Sequence, residues 1–165
     1  MTRAAADPHP APATPKPVFP RALPPYVLAA AFLLMVGLDR LLPLTEWLHM
    51  PTKMWGWAPV LAGTGLCVAA AAQLRRHRTT ILPFRTSDAL ITTGVFRRSR
   101  NPIYLGMLLT LVGTAVIAGS ASVWIVPPLF AIVITRRFIA AEEAMLADRF
   151  GDAYHAYRRR VRRWV

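Results

Sequence analysis

The sequence predicts an all-α, polytopic membrane protein, with about four transmembrane helices and a cytoplasmic C-terminal amphipathic helix. Three observations lead there. Of the 165 residues, 55% are hydrophobic and only 17% are charged, where soluble domains carry roughly 25% charge. The apolar residues gather into four runs without strand-like alternation. The formal charge of +12 is distributed unevenly: 18 of the 20 Lys and Arg residues fall in alternate segments between those runs. A soluble protein this basic would suggest nucleic acid. Here the cations flank apolar runs, so topology accounts for them and no nucleic-acid partner is expected.

Residues 1–24 carry Pro8, Pro10, Pro12, Pro15, Pro17, Pro20 and Pro24 among alanines. Proline fixes φ and removes a backbone donor, which favours extended, solvated chain. This stretch reads as a disordered tail, and residues 25–165 as one membrane domain. The first apolar run is roughly Tyr26–Leu44, with Asp39 and Arg40 near its far end. A long tail before it and no small-x-small cleavage site after it argue against a signal peptide. The second run is roughly Trp57–Leu74 and the third roughly Ile103–Gly119. The fourth, Ala121–Thr135, is short against the ~17–25 residues a span needs, and borrows length from Phe138 and Ile139. Pro127 and Pro128 within it predict a kink, which could open a ligand cavity.

Small residues line one stripe on each of two runs: Gly63, Cys67, Ala70 and Ala71 on the second, and Gly106, Thr110, Gly113 and Thr114 on the third. Such stripes let membrane helices approach closely and would permit a homo-oligomer. Cys67 is the single cysteine, so no internal disulfide forms, and no metal site is expected.

Orientation follows from the cations. Three precede run one, seven lie between runs two and three, and eight follow run four. The remaining two are Arg40 and Lys53, between runs one and two. The positive-inside rule then places both termini in the cytoplasm, as expected for a bacterial inner membrane protein.

Two cytoplasmic segments carry chemistry. Leu90–Gly106 reads LITTGVFRRSRNPIYLG. Asn101-Pro102 is a turn former, and Pro102 can open the third helix without loss of a hydrogen bond. Arg100, Asn101 and Tyr104 then stand at the membrane mouth. An interfacial anchor is the plainer reading of the same residues. Phe138–Tyr157 reads FIAAEEAMLADRFGDAYHAY. At helical spacing Ile139, Glu142, Glu143, Leu146 and Phe150 share one face, with Gly151 as its cap. Carboxylates beside an apolar stripe need partners, and Arg136 and Arg149 are the sequence neighbours that could supply them. The plainer reading here is an ion-paired surface helix. The helical hairpin of runs three and four brings both segments to one side. Together they could enclose a ligand with cationic, anionic and aromatic parts. Tyr104, Phe138, Tyr154 and Tyr157 are available for stacking.

The strings TTGVFRRSRNPIYLG and RRFIAAEEAMLADRFGDAYHAYRRRVRRW resemble the isoprenylcysteine carboxyl methyltransferase and phospholipid methyltransferase superfamily over about residues 84–165. These are small integral-membrane enzymes that use S-adenosylmethionine. The isoprenylcysteine branch has Arg-His-Pro-x-Tyr-x-Gly, where this chain has Arg100-Asn101-Pro102-Ile103-Tyr104-Leu105-Gly106. Asn101 in place of His matches the phospholipid branch and weakens the case for a prenylated cysteine. The resemblance implies cofactor contacts from Arg100, Asn101, Pro102, Tyr104, Gly106, Glu142 and Glu143. It implies a lipophilic or small-molecule methyl acceptor arriving from the bilayer. Glu143 and Arg137 are the expected catalytic residues, with Arg137 orienting an acceptor carboxylate. No general base stands out, since His77 and His155 read as surface residues. Two other classes stay open at this point. One is a nicotinamide-dependent reductase of related fold. The other is a non-enzymatic membrane protein whose basic loops bind anionic lipid or a partner.

Overall fold

In the computed structural model, residues 23–42, 44–46, 48–77 and 90–165 are described. The Pro/Ala-rich tail up to residue 22 and the arginines at 78 and 85 lie outside them. Helix α1 spans Pro24–Leu41, with its two prolines in the first turn. A 3₁₀ turn, Thr52–Gly56, leads into α2, Trp57–Arg76. Helix α3 is Pro102–Ala118. It starts at proline, where the missing N–H is one the helix never uses. It stops at Gly119, whose φ of +78° and N–H bond to the Ala115 carbonyl (3.1 Å) form a left-handed cap.

The last stretch differs from expectation. A 3₁₀ turn (Ala121–Ile125), α4 (Val126–Ile134), a π-helical turn (Thr135–Ile139) and α5 (Ala140–Arg160) follow in direct succession, with one kink inside α5 at Gly151. They make one helical run of 40 residues, Ala121–Arg160. At ~1.5 Å per residue the part before the kink, residues 121–150, is about 45 Å long, roughly 1.5 times the hydrocarbon thickness. Its apolar part, to about Ile139, spans the bilayer, and α5 projects beyond it. The fourth span and the first half of the amphipathic helix are therefore continuous, up to a kink at Gly151. Pro127 and Pro128 stand where the 3₁₀ turn gives way to α-helix, in the first turn of α4. The irregularity lies further on, in the π-helical turn. Its extra residue lets the consecutive Phe138 and Ile139 both face inward, at 1% and 0% exposure.

Three helical runs, Pro24–Leu41, Thr52–Arg76 and Ala121–Arg160, are long and apolar enough to cross a membrane, and α3 is a shorter apolar helix of 17 residues. Large apolar side chains point outward around the bundle: Leu33, Val36, Leu61, Val68, Leu129 and Ile132 are all exposed. In water such a belt would be an aggregation surface, and in lipid it is the solvated face. Inside lie Met35 of α1, Tyr104, Leu111 and Ala115 of α3, and Val126, Phe130 and Ile134 of α4. The chain is thus an all-helical, polytopic membrane protein. Its described residues hold no strand, only an isolated bridge between Glu46 and Ser120 at the end of the bundle away from the arginines.

The small-residue stripes meet each other. A Cβ on Gly56 would lie 2.5 Å from the Gly113 carbonyl oxygen, and one on Gly63 would overlap the Gly106 carbonyl. Reciprocally, a Cβ on Gly106 would lie 2.5 Å from Cys67 Sγ. Glycine is needed at these positions because two backbones touch. The Cys67 thiol donates to the Ile103 carbonyl at 3.3 Å, at the same seam. The stripes expected to permit a dimer are used within the chain, joining α2 to α3.

Candidate functional site

The site is built at the arginine-rich end, where α3 begins and α5 leaves the bundle. Its floor is set by α2. The Gln73 amide donates to the Thr93 carbonyl (2.8 Å) and hydroxyl (3.2 Å), and its oxygen accepts the Val95 N–H (3.3 Å). Gly94, at φ +57°, packs directly on that side chain, where a Cβ would collide. This pins the short turn Gly94–Arg97 and hence the approach to Arg100.

Two sequence motifs 38 residues apart meet here. The Tyr104 hydroxyl donates to Glu142 Oε1 at 2.7 Å. Arg100 Nη2 stands 3.1 Å from Glu143 Oε1, and Arg100 Nη1 donates to the Tyr154 hydroxyl at 3.2 Å. The Arg100 and Glu143 side chains are only 8% and 10% exposed. A charge so desolvated must be paired, and the pairing ties α3 to α5. Glu142 and Glu143 therefore do different work. Glu143 is fully engaged by guanidinium groups. Glu142 has one oxygen bonded to Tyr104 and lies just beyond the spanning part of its helix. Burial pushes its carboxyl up to about 7, and the neighbouring Glu143 charge adds to that, while the Tyr104 bond opposes it.

A third segment completes the arrangement. After Arg160 the chain folds back along residues 99–101. The Arg100 N–H donates to the Arg162 carbonyl (3.1 Å), and Asn101 Nδ2 donates to the Arg163 carbonyl (3.1 Å). Arg163 itself grips Glu143 with both prongs, Nε to Oε1 at 3.1 Å and Nη2 to Oε2 at 2.6 Å. That bonding raises the Arg163 pKa. Trp164 packs on the main core, and Val161 joins Tyr154 and Tyr157 in a second apolar cluster.

The expected residues divide accordingly. Arg100, Asn101, Tyr104, Glu142 and Glu143 converge. Pro102 is fully buried at the start of α3. Gly106 is buried in the α2 contact, so its part is helix approach. Arg137 is exposed on the π-helical turn, as is Arg136. The partners of Glu143 are Arg100 and Arg163, distant in sequence, and not the neighbours Arg136 or Arg149; the Arg149 guanidinium lies 5.9 Å from the Phe150 ring centre. Of the aromatic residues, Phe138 is in the core and the Tyr157 hydroxyl is spent on the Phe96 carbonyl (2.6 Å). His77 and His155 are exposed. Gly151 does break the helix, at φ +47°, but the chain resumes helical form to Arg160.

Gln73 and Arg163 were not singled out by sequence reasoning. Arg163 sits in a run of arginines that topology alone explains. The signal was its flanks: Val161 and Trp164 are apolar, so this segment had to return to a buried surface.

The bundle of apolar helices thus carries, at its arginine-rich end, a polar cluster built from two separate motifs. The family model for phospholipid methyltransferase matches residues 52–153, and the chain belongs to that family. It is similar to an uncharacterized protein of Haemophilus influenzae, 38% identical over 63 residues, which is 38% of this chain and all of that one. It is also similar to the protein-S-isoprenylcysteine O-methyltransferase of Schizosaccharomyces pombe, 35% identical over 75 residues; the match covers 44% of this chain and 30% of the yeast protein. No solved structure matches the chain significantly.

Proposed function

We propose that this protein is an S-adenosylmethionine-dependent methyltransferase whose acceptor is a lipophilic or small molecule, with a carboxylate, amine or thiol as nucleophile. The carrying observation is the junction of the two motifs by the Tyr104–Glu142 bond (2.7 Å) and the Arg100–Glu143 pair (3.1 Å). Membership of a methyltransferase family supports it, as does the name of the yeast relative. Both termini would lie in the cytoplasm of a bacterial inner membrane, which puts the cluster on the side where a soluble cofactor is found.

The residues fit such a cofactor chemically. Arg100 Nε is buried and has no hydrogen-bond partner. A buried donor left open in this way suits an added acceptor, such as a carboxylate. Two guanidinium groups face one Glu143 carboxylate, so the cluster keeps positive charge for that group while Glu142 is protonated. Glu142 retains an oxygen for an amine or hydroxyl. Arg100, Asn101, Tyr104, Glu142 and Glu143 would hold the cofactor, with Pro102 and Gly106 fixing the backbone around it. When bound, S-adenosylmethionine supplies a methyl group already activated as a sulfonium. What remains for the protein is orientation and exclusion of water. Glu143 serves by fixing both guanidinium groups. The exposed Arg137, one turn nearer the membrane than Glu142, is placed to meet the carboxylate of an acceptor drawn from the bilayer.

The test is binding of S-adenosylmethionine to the detergent-purified protein. A Glu142→Gln/Glu143→Gln double variant and a nicotinamide nucleotide serve as controls. Binding that the double variant loses supports the reading, and transfer of a labelled methyl group into a membrane lipid extract then finds the acceptor. A folded protein that binds neither ligand refutes it in favour of a non-enzymatic membrane protein. Nucleotide binding alone turns it to the reductase class.

A further inference from the structure

We infer that Val161–Val165 is a strap that positions both motifs of the cofactor site, with Arg163 as the positioning residue; this rests on the methyltransferase reading above. The strap lies beyond both the Arg100–Gly106 stretch and the Glu142/Glu143 pair, yet three of the five converging residues are attached to it. The Arg163 side chain holds Glu143 by two bonds, of 3.1 and 2.6 Å. Its carbonyl accepts Asn101 Nδ2 at 3.1 Å and the Ser99 hydroxyl at 3.4 Å. The carbonyl of Arg162 accepts the Arg100 N–H at 3.1 Å. Asn101 and Ser99 are buried, at 8% and 3% exposure, so these bonds are not readily replaced by water.

The geometry also decides what Arg163 does for Arg100. Glu143 Oε1 accepts from Arg100 Nη2 and from Arg163 Nε, both at 3.1 Å. Arg163 takes Oε2 as well, so the carboxylate plane is set by Arg163's fork. Arg100 approaches that fixed plane with one terminal nitrogen and gives the other to Tyr154. Its Nε is thereby left buried and open. Without the Arg163 fork, Glu143 is free to turn and take Arg100 side-on through Nε and one Nη, which would close the open donor. Trp164 on the core and Val161 in the second cluster anchor the strap on both sides of the arginine pair. The strap is thus held by apolar contacts and delivers one guanidinium and two carbonyls to the site.

The experiment measures the Kd of S-adenosylmethionine for the full chain in detergent. Wild type, Arg163→Ala, Arg163→Lys, Glu143→Gln and the Arg163→Ala/Glu143→Gln double variant are compared, with a thermal melt of each. Wild-type protein that fails to bind refutes the methyltransferase reading itself, separately from the strap. Given wild-type binding, Arg163→Ala should bind about 10- to 100-fold more weakly, the size of a coupled buried pair. Lysine should restore only part of this, since a point charge cannot set the carboxylate plane. In the Glu143→Gln background, Arg163→Ala should add little, because Arg163 acts through Glu143. Equal binding by wild type and Arg163→Ala overturns the inference. So does tighter binding by Arg163→Ala, which would make the strap an obstruction. Fully additive losses in the double variant would also overturn it, since they would make Arg163 a merely structural residue. If Arg163→Ala fails to fold, Arg163→Lys carries the same comparison.

Discussion

Replacing Glu143 by Gln keeps the shape of the side chain and removes its charge. The wild-type carboxylate makes three contacts with guanidinium nitrogens, at 3.1, 3.1 and 2.6 Å. A hydrogen bond to a charged group contributes about 1.5–3 kcal/mol and a neutral one about 0.5–1.5 kcal/mol. Glutamine keeps one acceptor oxygen and sets its NH₂ against a guanidinium, so one bond of about 1.5–3 kcal/mol is lost outright and the other two lose the carboxylate charge. The Arg163 side chain is 36% exposed, so water recovers part of this, leaving a net loss of about 2 kcal/mol. That corresponds to about 30-fold in any equilibrium that depends on the cluster being formed. Two such equilibria can be read. Amide exchange of Arg100, whose N–H bonds the Arg162 carbonyl, reports docking of the strap in detergent or nanodiscs and should accelerate about 30-fold. The Kd for S-adenosylmethionine should rise by a similar factor. Glu142→Gln is the comparison: it alters one bond, to Tyr104, and should leave strap exchange unchanged. A Glu143→Gln protein with wild-type exchange and wild-type affinity would refute the assignment of Glu143 as the keystone of the site.

Other predictions concern single features. The Glu142 carboxyl has a folded pKa of about 7, raised above its usual 4.5. The native state thus holds the extra proton between these values, and this group's contribution to stability falls as pH rises from about 4.5 to 7, then levels off. Urea or thermal melts across that window should show the slope in wild type and lose it in Glu142→Gln; an unchanged slope would show that another group titrates. Tyr104→Phe removes the bond that opposes the shift, so the Glu142 titration should move to higher pH, checked by the same melts. Gly106→Val places side-chain atoms where a Cβ already meets Cys67 Sγ and the Gly63 carbonyl at 2.5 Å. Overpacking of this kind costs about 1–3 kcal/mol, and a lower melting temperature should be measured, with wild-type behaviour showing that α2 and α3 can separate. Arg137→Ala should leave the Kd for S-adenosylmethionine unchanged and raise the KM for the acceptor once it is known; loss of cofactor binding would place Arg137 in the wrong half of the site.

The span positions were legible because the bilayer sets a length and the sequence obeys it. Run three, read as Ile103–Gly119, is the helix Pro102–Ala118 with Gly119 as its cap. The glycine stripes were legible for a related reason: small residues at helical spacing have few uses in a membrane other than close approach. The continuity of the helix from Ala121 up to the kink at Gly151 was less so. Prolines suggested a break at Pro127, but their effect depends on where the helix starts, and that start is fixed by the Gly119–Ser120 hairpin. Nothing in the local sequence announces the π-helical turn. It follows from the need to bury both Phe138 and Ile139 while Glu142 and Glu143 reach the α3 motif.

The pairing of Glu143 was illegible for a different reason. Electrostatics in a sequence is read between neighbours, so Arg136 and Arg149 were the natural partners. A helix carries those two side chains only along its own surface, whereas the carboxylate points across to α3 and to the returning strap. Which arginine completes a buried pair is decided by where the backbone can bring one within about 3 Å, and the arginine-rich segments offer many chemically equal choices. Arg162 and Arg163 both lie between apolar anchors, Val161 and Trp164, and of the two it is the half-buried Arg163 whose side chain reaches Glu143. The neighbouring Arg158, Arg159, Arg160 and Arg162 are exposed. The same residue type therefore serves two purposes within six positions. The exposed arginines supply the cationic excess expected of a cytoplasmic segment, and the half-buried one pairs with Glu143.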